Sequence, residues 1–277
     1  MLCNLCPNNC KTVRLCKKDG FLRVARIGQH FYEEPPVSGT LGSGTVFFCG
    51  CNMRCSFCQN KEISADYRGT AFTQDELISE IKRLESEGVH NINFVTPSHL
   101  IGELRALLLL YRPKTTVYNT SAYDGAEGLK GLDGLIDIYL PDYKYSDASL
   151  SLKLSQKRDY PSVALNAIAE MFKQQPKNVY SDTGLLKKGV IIRHLILPGY
   201  LENSVNALKI LSDNFTGCEV SLLSQFTPRA DCPELPRTLK PIEYKTVYLT
   251  AMKLNFSKIY TQELSSASPE FIPVWDL

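Results

Sequence analysis

The sequence predicts an α/β domain built on a parallel sheet, preceded by a cysteine-rich segment. Strand and helix signals alternate in order from about residue 45 to 254, as parallel strands joined by helical crossovers require. The chain has 277 residues, 44% of them hydrophobic, enough for one large core. Eight of the ten cysteines precede residue 59, so the thiols belong to one end of the chain. The expected division is a Cys-rich N-terminal extension over 1–40 and the α/β domain over 41–277.

The extension reads as irregular, and basic over 11–26, where Lys11, Arg14, Lys17, Lys18, Arg23 and Arg26 face only Asp19. It closes on the turn-rich stretch Glu33-Glu34-Pro35-Pro36-Val37-Ser38-Gly39-Thr40. Thr45–Phe48 is the first buried strand. Thr73-Gln74-Asp75-Glu76 is a capping box, followed by Leu77, Ile78, Ile81 and Leu84 at helical spacing, and Gly88 stops that helix. Asn91–Thr96 is a strand, and Ser98 is placed to cap a helix over 99–111. Thr115–Tyr118 is the third strand, followed by a short helix near 125–132. Leu135–Leu140 is the fourth, followed by two helical segments between about 147 and 175. Val190–Leu197 is the fifth, with Ser204 as cap of a helix carrying Val205, Leu208 and Leu211. Val220–Leu223 is the sixth, and 241–254 reads as helical. A complete barrel of eight units takes about 250 residues. With the first 40 residues outside the pattern, six units fit better.

Composition excludes several classes. Lys plus Arg total 31 against 29 acidic residues, so bulk charge supports neither nucleic-acid nor membrane binding. The N-terminal stretch Met1-Leu2-Cys3-Asn4-Leu5-Cys6-Pro7 has no apolar core of a secretory signal, and Leu107–Tyr111 is far too short to span a bilayer. In a chain of this size the cysteines then read as metal ligands in a reducing cytoplasm rather than as disulfides.

The sharpest motif is Cys51-Asn52-Met53-Arg54-Cys55-Ser56-Phe57-Cys58, directly after the first strand. Three thiolates this close can hold three irons of a cubic [4Fe–4S] cluster and leave the fourth iron open to a small molecule. An electron-transfer protein closes that position with a fourth cysteine. An open position argues for chemistry, as it does at catalytic zinc. The alternatives are a zinc site, which needs a fourth Cys or His that is missing from the twenty residues after Cys58, and purely structural thiols.

This motif, with an aromatic residue before its third cysteine, resembles the radical S-adenosylmethionine (SAM) superfamily. The nearer similarity is to activating enzymes of pyruvate formate-lyase, and within these to a branch of uncharacterised activase homologues. It runs through His30–Pro36, Ser43–Ser64, Asn91–His99, Tyr118–Tyr123, Asp137–Tyr145, Arg193–Gly199 and Ser221–Pro228. The resemblance implies a partial (βα)6 TIM-type barrel. It implies a cluster on Cys51, Cys55 and Cys58 whose open iron is chelated by the amino and carboxylate groups of SAM. One electron from an outside reductant, flavodoxin- or ferredoxin-like, then cleaves SAM into methionine and a 5′-deoxyadenosyl radical. The implied substrate is a glycine Cα–H of a glycyl-radical protein. The alternatives are a small molecule or peptide and, from another class, a non-enzymatic iron–sulfur or zinc scaffold that binds a partner protein.

Functional groups of parallel α/β folds collect at the C-terminal ends of strands. The resemblance puts Phe57 near the adenine and Asn60 on SAM, with a loop cap as the alternative for Asn60. At the second strand end, Thr96-Pro97 stands where relatives carry Gly-Gly-Glu, which leaves the backbone carbonyls at Thr96 to hold the methionine amino group. Asn119 and Ser121 share a strand face, and the resemblance puts Asn119 on the ribose hydroxyls. Asp142 and Lys144 share another, with charges suited to the ammonium and carboxylate of the methionine moiety; a surface ion pair is the alternative. Arg193 is a candidate for binding the SAM carboxylate. His99 is weighed as an acid–base group against an exposed or capping first-turn residue, His194 as structural, and Gln225 as site-lining or loop. Cys49, Cys218 and Cys232 read as ordinary thiols. Cys3, Cys6, Cys10 and Cys16 fall within fourteen residues and suit zinc or a second iron–sulfur cluster, against a thiol-bearing tail. Relatives place the fourth cysteine after a Gly-Phe pair, whereas here Gly20-Phe21 is followed by Leu22 and Cys16 lies earlier.

Overall fold

The computed structural model describes residues 6–10, 21–268 and 275. Within them six parallel strands form the expected frame: β2 (Ser43–Phe48), β4 (Ile92–Val95), β5 (Thr116–Thr120), β6 (Ile138–Pro141), β8 (Leu186–Leu195) and β9 (Glu219–Leu223), paired in that order. β10 (Lys258–Thr261) adds a further parallel strand beside β9. At the other edge β1 (Leu22–His30) runs antiparallel to β2, and β3 (Thr70–Phe72) antiparallel to β1. β7 (Val179–Tyr180) pairs only with β8. Neighbours in space are thus successive in sequence, as in a barrel that stops before closing.

Helices cover the outer face. α3 (Gln74–Ser86) starts on the expected capping box, with Thr73 and Glu76 exchanging side-chain and backbone bonds. It buries Leu77, Ile81 and Leu84 against Val46, Phe48 and Phe94. α4 (Ile101–Leu110), α5 (Ala126–Lys130), α6 (Ala148–Ser155), α7 (Tyr160–Gln174), α8 (Leu201–Asn214) and α9 (Pro241–Ala251) complete the layer. Alternate strand residues face the lumen. Val117, Ile138, Leu140 and Ile191 form an apolar layer there.

That layer is closed from below by the stretch expected to be irregular. β1 carries the chain down the sheet, because its His30 pairs with Ser43 at the start of β2. The short helix α1 (Pro35–Ser38) then inserts Val37, fully buried, among the inward residues. Its carbonyl accepts the Asn91 side-chain amide at 2.8 Å. Gly39 ends α1 at φ 50°, where a Cβ would lie 2.5 Å from Leu185 and 2.7 Å from His90. The extension is therefore not irregular over 22–30: its basic and polar residues alternate on a half-exposed strand.

Two expected caps are corrected. Ser98 opens a 3-10 turn (Ser98–Leu100) and shares its hydroxyl with Thr120 Oγ1 at 2.9 Å instead of capping α4. Ser204 lies inside α8, with its Oγ 2.9 Å from His194 Nε2. In both places burial against the sheet claimed the hydroxyl.

Candidate functional site

β2 ends at Phe48, and Gly50 turns the chain out of the sheet at φ 85°, with its amide on the Ile63 carbonyl at 2.8 Å. The loop from Cys51 to Asn60 follows, then α2 (Lys61–Ser64). Two outside elements hold it. The end of α6 takes the Ser56 amide on the Leu154 carbonyl at 2.8 Å, and Ser155 Oγ donates to Cys55 Sγ at 3.0 Å. The segment after β9 packs Phe226 against Phe57, edge to face at 6.2 Å, and takes the Gln59 side-chain amide on the Gln225 carbonyl at 2.9 Å.

The thiols of Cys51, Cys55 and Cys58 are partly exposed. Burial, then the neighbouring Cys55 and Cys58, pushes the Cys51 thiol up to about 12. Burial also raises Cys55, against the pull of Lys144. Among the described residues no three Cys, His, Asp or Glu side chains are arranged to hold one metal ion. Tetrahedral zinc would draw its sulfurs to about 4 Å apart. A cube offers each thiol its own iron, and three soft thiolates on one loop are the donor chemistry it takes. Cluster binding would strip these thiols of their protons.

Below the loop, the lumen holds a charged network. Arg193 of β8 donates through Nε to Asp142 Oδ1 at 2.8 Å, through one terminal nitrogen to Glu33 Oε2 at 3.1 Å, and through the other to Asn119 Oδ1 at 2.5 Å. Lys144 donates to Asp142 Oδ2 at 2.5 Å. Asn93 and Asn119 donate to Glu33 Oε1 at 2.9 and 3.2 Å. The side chains of Arg193, Lys144 and Asp142 are 13%, 15% and 16% exposed, so this is no surface pair. Burial alone would raise the Asp142 carboxyl, but Arg193 and Lys144 together outweigh it and hold it below the ordinary value. Burial works against the charges of Arg193 and Lys144, yet both stay raised, Arg193 by Asp142, Glu34 and Glu33, and Lys144 by Asp142 and Cys55. Burial raises Glu33 and Glu34, although Arg193 opposes it. The charge of Lys144 reaches the thiols of Cys51 and Cys55 and so couples network to loop.

The remaining expected residues lie as follows. Thr96 ends β4 at φ 60°, a left-handed conformation that a β-branched residue rarely adopts, and its amide bonds the Asn119 carbonyl at 2.9 Å. Ser121 Oγ is buried with no hydrogen-bond partner, while its carbonyl accepts Tyr160 at 2.9 Å. Phe57 is buried. Asn60 is the N-cap residue of α2 and makes no side-chain cap bond. His99 is buried, not exposed, with Nε2 2.8 Å from the Cys49 carbonyl. His194 is buried between the Tyr143 carbonyl and Ser204, a structural setting. Gln225 is tied up by Gln59 and Gln262. Cys49, Cys218 and Cys232 are buried, and the Cys49 thiol donates to the Arg68 carbonyl at 2.7 Å. Cys3 and Cys16 lie outside the described residues. Cys6 and Cys10 are described, and the Asn8 between them bonds the Asn52 carbonyl at 2.8 Å and Lys157 at 2.5 Å.

Sequence reasoning missed Glu33, Glu34 and Asn93. Asn93 left a signal: it is a lone polar residue inside the apolar run Ile92–Val95. The glutamates precede two prolines, a pattern that reads as a turn.

The family model of the Radical SAM superfamily matches residues 45–208. The chain is 28% identical over 276 residues to the uncharacterized protein MJ0674 of Methanocaldococcus jannaschii, covering 93% of this chain and 76% of that one. Its fold is similar to that of HydG, a maturase of the [FeFe]-hydrogenase, with a TM-score of 0.52 and 14% identity over 82% of this chain and 58% of that one. Streptococcus suis SuiB, solved with its precursor peptide SuiA, aligns with a TM-score of 0.48 and 16% identity over 80% of this chain and 49% of that one. The chain thus spans about half the length of these two structural neighbours.

Proposed function

This chain belongs to the radical SAM superfamily, and on that premise we propose that it activates a glycyl-radical protein by abstracting hydrogen from a glycine Cα. The observation that carries the radical chemistry is the loop with three cysteines and no fourth within it, set over a polar lumen. Bound there, a [4Fe–4S] cluster supplies the electron that splits the C–S bond of SAM into methionine and a 5′-deoxyadenosyl radical. Abstraction of one hydrogen atom would then leave 5′-deoxyadenosine and a substrate radical.

In this reading Cys51, Cys55 and Cys58 ligate the cluster. Asp142 takes the SAM ammonium, and Lys144 and Arg193 its carboxylate, which requires them to exchange part of their mutual pairing for ligand contacts. Asn119 and Ser121 serve the ribose; the unpartnered Ser121 hydroxyl supports that role. Thr96 offers its carbonyl to the amino group, and its left-handed backbone plays the part that glycine plays in relatives. Phe57 and Asn60 serve the adenosine end. Phe226 over Phe57 helps to exclude water and quenchers. The electron comes from a flavodoxin- or ferredoxin-like donor.

Protein reconstituted anaerobically with iron and sulfide, then given SAM and dithionite, should form methionine and 5′-deoxyadenosine in equal amounts. No 5′-deoxyadenosine from protein carrying a full cluster would overturn the reading. An electron-spin signal that appears on the partner protein, and not on small molecules or peptides, would single out the glycyl-radical substrate.

A second reading concerns Cys3, Cys6, Cys10 and Cys16 as ligands of zinc or a second cluster. It is favoured by the docking of residues 6–10 on the catalytic loop through Asn8. Metal analysis tests it: the Cys6→Ala/Cys10→Ala variant should lose metal beyond the four irons of the catalytic cluster.

A further inference from the structure

We propose that Ser155, oriented by Tyr145, is the hydrogen-bond donor that sets how readily the three-cysteine centre accepts its electron. The inference rests on the reading of Cys51, Cys55 and Cys58 as cluster ligands. Ser155 is the last residue of α6 and is fully buried. Its hydroxyl donates to Cys55 Sγ at 3.0 Å across a hundred residues of chain. A hydroxyl carries a single proton. The 2.6 Å contact between Tyr145 and Ser155 Oγ must therefore run from the phenol to the serine. Tyr145 is itself fully buried, with its ring edge-on to Tyr160 at 5.3 Å. The two hydroxyls form a directed relay that ends on the sulfur.

The other two sulfurs are served less well. Cys51 Sγ accepts the Met53 amide at 3.3 Å, and Cys58 Sγ meets the Ser64 hydroxyl at 3.5 Å. Cys55 thus has the shortest contact, from a donor that a second donor holds in place. Reduction adds one negative charge, spread over the cluster and its thiolates. A hydrogen bond donated to a thiolate stabilises the reduced form more than the oxidised form and raises the potential. In a dry setting that preference is strengthened. Ser155 and Tyr145 are therefore positioning residues that make the first electron easier to accept.

The test uses the full chain, reconstituted anaerobically, with redox titration followed by electron paramagnetic resonance in the absence of SAM. Ser155→Ala should keep four irons and shift the reduction equilibrium about tenfold toward the oxidised form, 59 mV for a one-electron couple. Ser155→Thr, which keeps the hydroxyl, should restore the wild-type value. Tyr145→Phe, which removes only the second donor, should move the potential the same way by less, as should Ser64→Ala. A fully loaded Ser155→Ala protein with an unchanged potential would overturn the proposal. Should Ser155→Ala fail to load, an unchanged potential in loaded Tyr145→Phe would do so equally. Wild-type protein that binds no cluster would instead sink the ligand assignment.

Discussion

The two halves of the site are built in opposite ways. The three thiols come from eight consecutive residues, on a loop that a strand end and a glycine turn project from the sheet. The charged group beneath draws on Glu33 below the barrel, Asn93 and Asn119 on neighbouring strands, Asp142 and Lys144 past β6, and Arg193 on β8. The loop needs only its local turns and two clamps. The network exists only where the barrel has curled. In the proposed reading, cluster ligation is thus a local property of the chain and SAM orientation a global one.

Cutting the loop should give the largest effect. Cys55→Ala should abolish cluster assembly and 5′-deoxyadenosine formation, because two cysteines here cannot hold a cube, while the apo fold keeps its unfolding midpoint. Normal turnover in that variant would end the distinction between the halves. Cutting the network at its hub should do the reverse. Arg193→Ala leaves Glu33 buried without its cation and Asp142 with Lys144 alone, which should cost roughly 3–5 kcal/mol in denaturant unfolding of the apo protein. An undiminished midpoint would show that the lumen charges are solvated.

Smaller cuts sharpen the contrast. Asp142→Ala and Lys144→Ala should each weaken SAM binding by roughly 1.5–3 kcal/mol while four irons still load. SAM affinity unchanged from wild type in both, measured by equilibrium binding, would move the pair out of the ligand site. The smallest effect concerns pH. Burial depresses His194 to about 4, and burial with Arg26 and Arg193 depresses His30 to about 4. The unfolded chain takes up protons near 6.5 that the folded chain refuses. Stability should thus be full above about 6.5 and fall as pH drops toward 4. His194→Asn should flatten that slope, read from unfolding midpoints across this window; an identical slope would place the proton uptake elsewhere.

The sequence made these halves unequally legible. Cys51, Cys55 and Cys58 could be paired with chemistry by spacing alone. Asp142, Lys144, Asn119 and Arg193 were reachable through the rule that strand ends and alternate faces meet in a barrel. Nothing local marked Glu33 or Glu34, whose partner lies 160 residues away, or Ser155, whose hydroxyl reads as one more polar residue near a helix end. Ser98 and Ser204 misled for a related reason: a serine before or within a helical pattern suggests a cap until a buried neighbour takes its oxygen. β1 and β10, at and next to the margins of the sheet, escaped because their mixed polarity gives weak periodicity.

The helix that closes the barrel from below has a consequence for synthesis. Glu33 and Val37 leave the ribosome before most of the sheet, and the cation that neutralises Glu33 follows it by 160 residues. Until β8 docks, a nascent chain must leave this carboxylate in water, so the floor and the lumen can only be sealed together, late. Refolding followed by pulsed hydrogen exchange should show amides of β2 and β4 protected before those of β1 and α1; simultaneous protection would mean that the floor forms without its counter-charge. The three-cysteine loop follows β2 of that early edge, and the chamber beneath it should become dry only once Arg193, 160 residues after Glu33, has been made.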